Sequence, residues 1–373
     1  MRLLQVLALL FLTIQAQSQQ LVYFGTYTSG KSKSEGSYQA WFDESTGTRS
    51  APKLAAELEN PSFLAAHPEL PLLFAVLEVE DFDSTGGAVA AFKINHVTGE
   101  LTHLNTQKSG GAHPCHISID HSGQVALVTN YSTGTVSNFQ IQEDGSLTEA
   151  VSVVQHSGSS VHPKRQLGPH AHSIYPGPAN KSIYAIDLGT DEIIQYALDS
   201  TGQLEETATT KLSPGTGPRH MAFHPKGKFA YSINELVNTI STYSITPETG
   251  KLTYVDSIST LPADFSGRNS TAEVVIHPSG KFLYGSNRGH DSIAVFQIDP
   301  ADGRLDPVQK FEIEGKIPRN FDLDLSGRFL LVAGQRSSTV EILKINEMDG
   351  TLTAVGDPIS LPTPVCIVTV DRK

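Results

Sequence analysis

The chain has 373 residues and a formal net charge of −12 at pH 7. It contains no dense stripe of Lys and Arg, and this acidic balance argues against a nucleic-acid partner or an anionic membrane surface. Its two cysteines are too few for a disulfide framework, so we expect Cys115 and Cys366 to be small buried residues.

The first predicted element is a secretory signal peptide at residues 1–18. One Arg precedes an apolar run from Leu3 to Ile14, and small and polar residues follow around Ala16. The apolar run is too short to span a bilayer comfortably. We therefore expect a secreted or periplasmic protein that has no membrane contact once the signal is removed. The alternative is an apolar N-terminal strand of the fold.

The rest of the chain repeats one unit. Clear copies read GPRHMAFHPKGKFAYSINEL (217–236) and TAEVVIHPSGKFLYGSNRG (271–289). The copies begin, with a period of 46 to 55 residues, at Pro61, Pro114, Pro169, Pro218, Thr271, Pro318 and Pro364. A period of this length built from short strands is typical of a propeller.

Each full copy predicts four antiparallel strands. In the copy that begins at Pro218 they are HMAFHP (220–225), FAYSI (229–233), NTISTYSI (238–245) and KLTYVDSI (251–258). A glycine marks the hairpin turn before each fourth strand, because such turns need positive φ. These seven glycines are Gly47, Gly99, Gly145, Gly202, Gly250, Gly303 and Gly350.

The last copy stops at the C-terminus after a first strand, whereas LVYFGTYTSG (21–30) matches the second-strand pattern. One blade should therefore be built from both ends of the chain. The prediction is a single all-β domain at residues 19–373. It is a seven-bladed β-propeller of four-stranded antiparallel blades, and the ring is closed by the N- and C-terminal strands.

Polar residues recur at two positions that should surround the propeller axis. Burying so many charged groups is costly unless they pair with one another or bind a polar ligand. At the start of the first strand they include Cys115, His116, His170, Arg219, His220, Glu273, Arg319 and Asn320. At the end of the second strand they are Glu78, Asn130, Asp187, Asn234, Glu235, Asn287, Arg288 and Gln335.

Two interpretations of this set stay open. The charges of Arg219, Glu235 and Arg288 form either a structural ion-pair network or an anion-binding catalytic cleft, and we favour the cleft. The pair His170 and His172 lacks further ligands at convincing spacing, so we predict no metal and no cofactor. No G-x-S-x-G, P-loop or dinucleotide-binding glycine motif supports covalent serine chemistry or nucleotide binding.

Several motifs resemble the lactonase family of seven-bladed β-propellers. They are G-P-R-H-x-x-F-H-P (217–225), the N-E pair (234–235), G-P-H-x-H (168–172) and S-N-R (286–288). The family includes bacterial propeller-type 6-phosphogluconolactonase and fungal 3-carboxy-cis,cis-muconate cyclase, and the resemblance runs from Leu21 to Lys373. In the cyclase branch a His, two Arg and a Glu form the proposed active site. The resemblance implies that the catalytic residues here are His172, Glu235, Arg219 and Arg288.

We expect the protein to hydrolyse a sugar lactone to the open aldonic acid. His172 would act as general base, and Glu235 would orient the base or the substrate, or act as base itself. Arg219 and Arg288 would stabilise the oxyanion and hold an acidic group. Further substrate-binding residues are predicted at His170, His220, Arg268, Asn320 and Gln335.

Two alternatives come from other classes. The first is a carboxymuconate-type lactonising cycloisomerase, and the second is a non-catalytic propeller that binds a carbohydrate or a protein. The sequence favours the lactonase, since a binding platform should display an exposed aromatic or apolar patch instead of converging charges. The expected partner is a small-molecule lactone, and the chain is expected to be a monomer.

Overall fold

The structure, a computed structural model, describes residues 19–84 and 86–371. Within those ranges all regular secondary structure is β-strand, and no helix there is long and apolar enough to cross a membrane. The strands form seven antiparallel sheets, so the predicted seven-bladed β-propeller is confirmed. The predicted signal peptide at 1–18 lies outside the described residues.

Blades 1 to 4 contain the first sixteen strands and the last strand of the chain. Blade 1 is built from β1 (Gln19–Thr26), β2 (Gly36–Asp43), β3 (Thr48–Arg49), β4 (Lys53–Glu57) and the last strand, β30 (Pro364–Val370). Blade 2 is built from β5 (Leu64–Ala66), β6 (Leu72–Leu77), β7 (Ala88–Ile94) and β8 (Leu101–Lys108). Blade 3 is built from β9 (Pro114–Ile119), β10 (Val125–Asn130), β11 (Thr135–Gln140) and β12 (Ser152–Gln155). Blade 4 is built from β13 (Ala171–Pro176), β14 (Ile183–Asp187), β15 (Glu192–Leu198) and β16 (Leu204–Lys211).

Blades 5 to 7 complete the ring. Blade 5 is built from β17 (Pro218–Phe223), β18 (Phe229–Asn234), β19 (Thr239–Ile245) and β20 (Leu252–Ser259). Blade 6 is built from β21 (Ser270–Ile276), β22 (Phe282–Arg288), β23 (Ser292–Ile298) and β24 (Leu305–Glu312). Blade 7 is built from β25 (Pro318–Leu323), β26 (Phe329–Gly334), β27 (Thr339–Ile345), β28 (Leu352–Ala354) and β29 (Ile359–Ser360).

The two ends of the chain meet in blade 1. Strand β30 pairs antiparallel with β1, with Leu21 opposite Val370 and Phe24 opposite Ile367. The C-terminal segment therefore supplies the inner strand that the N-terminal segment lacks. The predicted closure of the ring is confirmed.

Repeated hydrogen bonds join neighbouring blades at the predicted hairpin turns. All seven turn glycines have φ between 71° and 88°, a region that other residues enter at a cost. Tyr23 donates a hydrogen bond of 2.8 Å to the carbonyl of Gly99, and Tyr231 donates one of 2.8 Å to Gly303. In each case a second-strand tyrosine reaches the turn of the next blade, and a buried bond of this kind contributes roughly 1 kcal/mol.

The hydrophobic core lies between the blades. One buried cluster joins Phe282 and Tyr284 of blade 6 to Leu330 and Val332 of blade 7. Because the apolar faces of each sheet are covered by its neighbours, the inner ends of the first strands are brought together around one axis. These inner ends carry the polar residues that the repeat alignment singles out.

Candidate active site

A β-bulge opens the inner strand of several blades at the same level. In β17 the register shifts between Pro218 and His220, so Arg219 is the extra residue. The same shift makes Cys115 the extra residue of β9 and Arg319 that of β25. A bulge re-aims the side chain that it inserts, and bulges are frequent next to active sites. The bulges set these side chains at equivalent positions around the axis.

The bulge in blade 4 corrects the repeat alignment. The alignment predicted His170 as the counterpart of Arg219, but the structure shows that His172 is the extra residue of β13. Ala171 pairs with Asp187 in the way that Pro218 pairs with Asn234, so the predicted register of blade 4 was wrong by two residues. The Asp187 carboxylate accepts a 2.8 Å hydrogen bond from the backbone N–H of His170, which holds His170 outside the strand.

Three guanidinium groups converge on the Glu235 carboxylate, which is 4 % exposed. Oxygen Oε2 lies 2.8 Å from Arg288 and 3.1 Å from Nε of Arg219, and Oε1 lies 2.7 Å from Arg165. Nε of Arg219 is within ion-pair distance but is not aligned for a hydrogen bond, and Nε of Arg288 also has no partner among the described residues. Two buried donors are therefore left available beside the carboxylate.

These contacts decide the ionisation of the cluster. Burial alone would raise the pKa of Glu235, but Arg288, Arg219 and Arg165 together hold it well below its usual range. Burial lowers the pKa of Arg288 to about 10, against the opposing attraction of Glu235, so the guanidinium stays charged near neutral pH. Glu235 is therefore a permanent anion within the cluster and a poor general base.

His172 lies beside this cluster as a buried, neutral imidazole. Burial and the nearby Arg219 lower the pKa of His172 well below its ordinary value. Its Nδ1 is 3.9 Å from the Cys115 sulfur, and its ring meets Tyr131 edge to face at 5.4 Å between centroids. A neutral imidazole can donate to or accept from a bound substrate.

A second charged group lies across the axis. The Tyr27 hydroxyl is 3.0 and 2.9 Å from the two carboxylate oxygens of Glu78, and it accepts a 3.1 Å hydrogen bond from Arg319. The Arg319 guanidinium also lies 5.5 Å from the centre of the Tyr27 ring. Blade 1 thus supplies a hydroxyl, blade 2 a carboxylate and blade 7 a guanidinium, opposite the Glu235 cluster.

These groups surround a cleft of about 340 Å³. A cavity of similar size elsewhere, about 320 Å³ between blades 4 and 5, holds no comparable cluster of paired charges. The cleft is lined by Glu78, Cys115, Tyr131, Arg165, His172, Glu235, Arg288 and Arg319. Three guanidiniums face two carboxylates in this lining, which leaves a local charge of about +1 in a chain of net charge −12. Such a site attracts anions.

Buried polar residues form a floor under the cleft. His220 Nδ1 is 2.9 Å from both oxygens of Glu273, and Asn320 donates a 2.6 Å hydrogen bond to the same carboxylate. A small cavity of about 10 Å³ lies at this level, and it shares Glu78, Cys115 and Arg319 with the cleft above.

The structure brings together the four predicted catalytic residues but divides the predicted substrate-binding set. The His170 ring stacks on the Tyr131 ring, with 4.5 Å between centroids, and Tyr131 separates it from the cleft. His220 and Asn320 belong to the floor. Arg268 is exposed in the connection before β21, and Gln335 is half-buried after β26; neither lines the cleft.

Several cleft residues did not figure in the predicted site. Arg319 occupies the same place after Pro318 that Arg219 occupies after Pro218, so the repeat itself contained the signal. Arg165 lies outside the repeated unit, in the connection between β12 and β13, and no internal comparison could have identified it. Among the described residues no group of three or more His, Cys, Asp and Glu side chains is arranged to hold a metal ion.

Comparison with known proteins links this geometry to a family. Residues 21–369 match the family described as "Lactonase, 7-bladed beta-propeller". The chain is 38% identical over 345 residues to a 6-phosphogluconolactonase of Bacillus subtilis, an alignment that covers 92% of this chain and 97% of the relative. A 6-phosphogluconolactonase of Formosa agariphila is 34% identical over 340 residues, with 89% and 94% covered.

Solved structures agree with this grouping. The periplasmic gluconolactonase PpgL of Pseudomonas aeruginosa superposes with a TM-score of 0.89 at 30% identity, covering 95% of this chain and 100% of that one. A putative 6-phosphogluconolactonase of Bacteroides fragilis superposes with a TM-score of 0.87 at 33% identity, covering 95% and 99%.

Proposed function

Since this chain belongs to the lactonase family of seven-bladed β-propellers, we propose that it hydrolyses a sugar lactone to the open aldonic acid in its central cleft. It is a lactonase, of the kind that its relatives' names describe as 6-phosphogluconolactonase. The observation that carries the proposal is the convergence of three guanidiniums on one buried carboxylate beside a neutral imidazole.

Arg219 and Arg288 stabilise the transition state in this proposal. When water attacks the lactone carbonyl, negative charge develops on the carbonyl oxygen, and fixed donors in a dry site stabilise that charge strongly. Nε of Arg219 and Nε of Arg288 have no hydrogen-bond partner among the described residues, so each guanidinium retains an unused donor for a substrate oxygen, although Nε of Arg219 lies 3.1 Å from Glu235. The planar guanidinium fork also suits two-point contacts with the oxygens of a carboxylate or a phosphate.

Glu235 orients these guanidiniums. Its low pKa keeps it ionised, and its two oxygens hold three cations at 2.7 to 3.1 Å. The carboxylate fixes the positions of the cations before the substrate arrives, which lowers the cost of reorganisation during the reaction. The sequence predicts that Glu235 orients the base or the substrate, or acts as base itself; in this proposal it orients the guanidiniums instead.

His172 contacts the lactone in this proposal. Its neutral imidazole lines the cleft and can hydrogen-bond a substrate oxygen. The sequence predicts it as the general base, but no described carboxylate accepts a hydrogen bond from its ring.

The charge of the cleft supports an anionic lactone as the preferred substrate. Three guanidiniums against two carboxylates in the lining leave a net positive charge of about one for a phosphate or a carboxylate group. The guanidinium of Arg165, with a side chain that is 36% exposed, is the most accessible of those bound to Glu235. In this proposal Arg165 contacts the anionic group of the substrate.

The function is tested with the purified chain 19–373. Acid release is followed in a pH-stat with glucono-1,5-lactone, its 6-phosphate and 3-carboxymuconate, against the spontaneous rate of each. We expect the protein to accelerate opening of at least one gluconolactone, and the phosphate to lower KM. If no aldonolactone is opened faster than in buffer, the proposal fails; turnover of the muconate alone would favour the cycloisomerase.

We also propose that the protein is exported. The apolar run from Leu3 to Ile14 supports this, and a solved relative carries the word periplasmic in its name. Expression of residues 1–373 and of residues 19–373 in a Gram-negative host should place only the first in the periplasm. Equal retention of both in the cytoplasm would contradict export.

A further inference from the structure

A histidine and a glutamate in the floor of the cleft form a pair that the roles above do not use. His220 and Glu273 are 1% and 6% exposed, on neighbouring inner strands. Both Glu273 oxygens lie 2.9 Å from Nδ1 of His220. The same carboxylate accepts hydrogen bonds from the Asn320 amide at 2.6 Å and the Val274 N–H at 3.1 Å.

This network assigns the tautomer of His220. Every described partner of the Glu273 oxygens can donate a hydrogen, so Nδ1 of His220 is assigned as the N–H donor. The other nitrogen, Nε2, then carries a free lone pair. It is buried and has no hydrogen-bond partner among the described residues, and the same holds for the hydroxyl of Ser62.

Both unpartnered residues line the small cavity in the floor. Its volume of about 10 Å³ matches the space that one water molecule needs. Nε2 of His220 and the Ser62 hydroxyl offer that water an acceptor and a second partner, and the guanidiniums of Arg219 and Arg319 line the same space. The cavity shares Glu78, Cys115 and Arg319 with the cleft, so a water here is adjacent to the space in which a substrate would bind.

We propose that this cavity holds the water that opens the lactone, and that His220, oriented by Glu273, accepts its proton. The inference rests on the proposed lactonase function. The arrangement has the three parts of a general-base site, namely a reactant, a base within reach and a carboxylate that orients the base. His172 lacks the third part.

In this proposal the lactone opens in two steps, attack of water and collapse of the tetrahedral intermediate. The water oxygen bonds to the lactone carbonyl carbon, and one water proton passes to Nε2 of His220. Glu273 stabilises the imidazolium, and Arg219 stabilises the oxyanion. When the tetrahedral intermediate collapses, the bond to the ring oxygen breaks and that oxygen takes the proton from the imidazolium. The products are a hydroxyl and a carboxylic acid, which ionises in solvent.

The pair predicts a dependence on pH. Burial raises the pKa of Glu273 to about 7, against the opposing charge of Arg219. The carboxylate is therefore lost as pH falls through about 7, and with it the support for the imidazolium, so kcat/KM should decline on the acid side. The titratable and charged groups that surround the pair are His116, His172, Arg219, Glu235, Arg288, Arg319 and Asp322.

Asp322 provides a matched control for the pH profile. Burial raises its pKa to about 7 as well, but it lines a different cavity, of about 310 Å³, and not the small cavity. We expect Asp322→Asn to keep the acid limb of wild type. Glu273→Gln should lower kcat and remove that limb. If Asp322→Asn removes the limb and Glu273→Gln keeps it, the assignment to Glu273 is overturned.

His116 provides a matched control for the base. It is 1% exposed, and its ring lies 5.4 Å from that of His220, but it has no carboxylate partner among the described residues and does not line the small cavity. His220→Gln should lower kcat about a hundredfold or more, with KM within a few fold. His116→Gln should stay within about threefold of wild type. Wild-type kcat in His220→Gln would overturn the proposal.

A crystal structure of the wild-type protein decides the water site without any variant. It should show one ordered water within hydrogen-bond distance of Nε2 of His220, and an empty cavity would overturn the proposal. This result is independent of activity. A wild type that binds the water but opens no lactone would refute the lactonase function and the role of the water in it. An active wild type with an empty cavity would refute the water site alone.

Discussion

Glu235 shows how one side chain can organise a site drawn from three parts of the chain. It follows β18 in blade 5, and its cationic partners come from blade 5, blade 6 and the connection before blade 4. Removing one member of a buried charge network leaves the others unpaired, which costs more than the network itself contributes. Glu235 is therefore expected to matter for stability as well as for turnover.

We predict that Glu235→Gln destabilises the protein by about 3–5 kcal/mol, because three guanidiniums lose their shared counter-ion. Phosphate should raise the Tm of this variant more than that of wild type, since an anion bound in the cleft replaces the negative charge that the guanidiniums have lost. Thermal melts with and without phosphate measure both effects.

The control for this experiment is Glu341→Gln. Glu341 is 5% exposed and accepts hydrogen bonds from the backbone N–H groups of Glu314 and Gly315, and it forms no ion pair within the part of the chain that the structure describes. Phosphate should raise the Tm of Glu341→Gln no more than it raises that of wild type. Equal responses to phosphate in the two variants would show that Glu235 does not restrain a cluster of cations.

The connection between β12 and β13 is the element that most changes the site. It covers residues 156–170, and a buried contact of 2.7 Å between His156 and Asp187 fixes its start. The Tyr196 hydroxyl lies 2.9 Å from the other ring nitrogen of His156. Beyond this fixed start, the connection places Arg165 at the cleft. The Arg165 guanidinium pairs with Glu235 and donates a 3.1 Å hydrogen bond to the Tyr131 hydroxyl.

We predict that Arg165→Ala raises KM for a phosphorylated lactone about tenfold or more and changes kcat less. A hydrogen bond to a charged group is worth roughly 1.5–3 kcal/mol, and a neutral lactone offers no charge to lose. Initial rates with glucono-1,5-lactone and its 6-phosphate measure the difference. Lys164→Ala, at an exposed neighbour, should leave both KM values near wild type. An equal effect of Arg165→Ala on both substrates would contradict a role in anion binding.

These elements also show what a sequence can and cannot predict. The turn glycines and the strand pattern recur in every blade, because the same backbone geometry is needed each time, so the fold was predictable. The bulge register in blade 4 was not, because it depends on the hydrogen bond from the His170 N–H to Asp187. Arg165 was also beyond reach, since a unique insertion has no counterpart in the other repeats.

The ring as a whole depends on contacts between neighbouring blades. Each buried cluster combines two blades, as Val22 and Phe24 of blade 1 do with Leu331 and Ala333 of blade 7. Stability in such an array is approximately a sum of units and their interfaces. The inner strand β30 belongs to the interface that joins the last blade to the first.

We predict that a chain ending at Thr363 does not reach the native state. It loses β30, whose buried Val365, Ile367 and Val370 contribute roughly 1.5–3 kcal/mol each, a large part of the total stability of a domain. Near-ultraviolet circular dichroism and dye binding should report a loss of fixed packing. A chain ending at Asp371 keeps β30 and should behave as wild type. A native spectrum from the shorter chain would contradict closure by the C-terminal strand.

Catalysis in the central cleft depends on the ring bringing Arg219, Glu235 and Arg288 together, and the kcat/KM of Arg219→Ala on the lactone that wild type prefers measures this dependence. We expect a loss of about a hundredfold or more, as for removal of one oxyanion donor. Arg304→Ala, at an exposed ion pair far from the axis, should match wild type. A folded Arg219→Ala protein with wild-type kcat/KM would show that lactone opening takes place elsewhere.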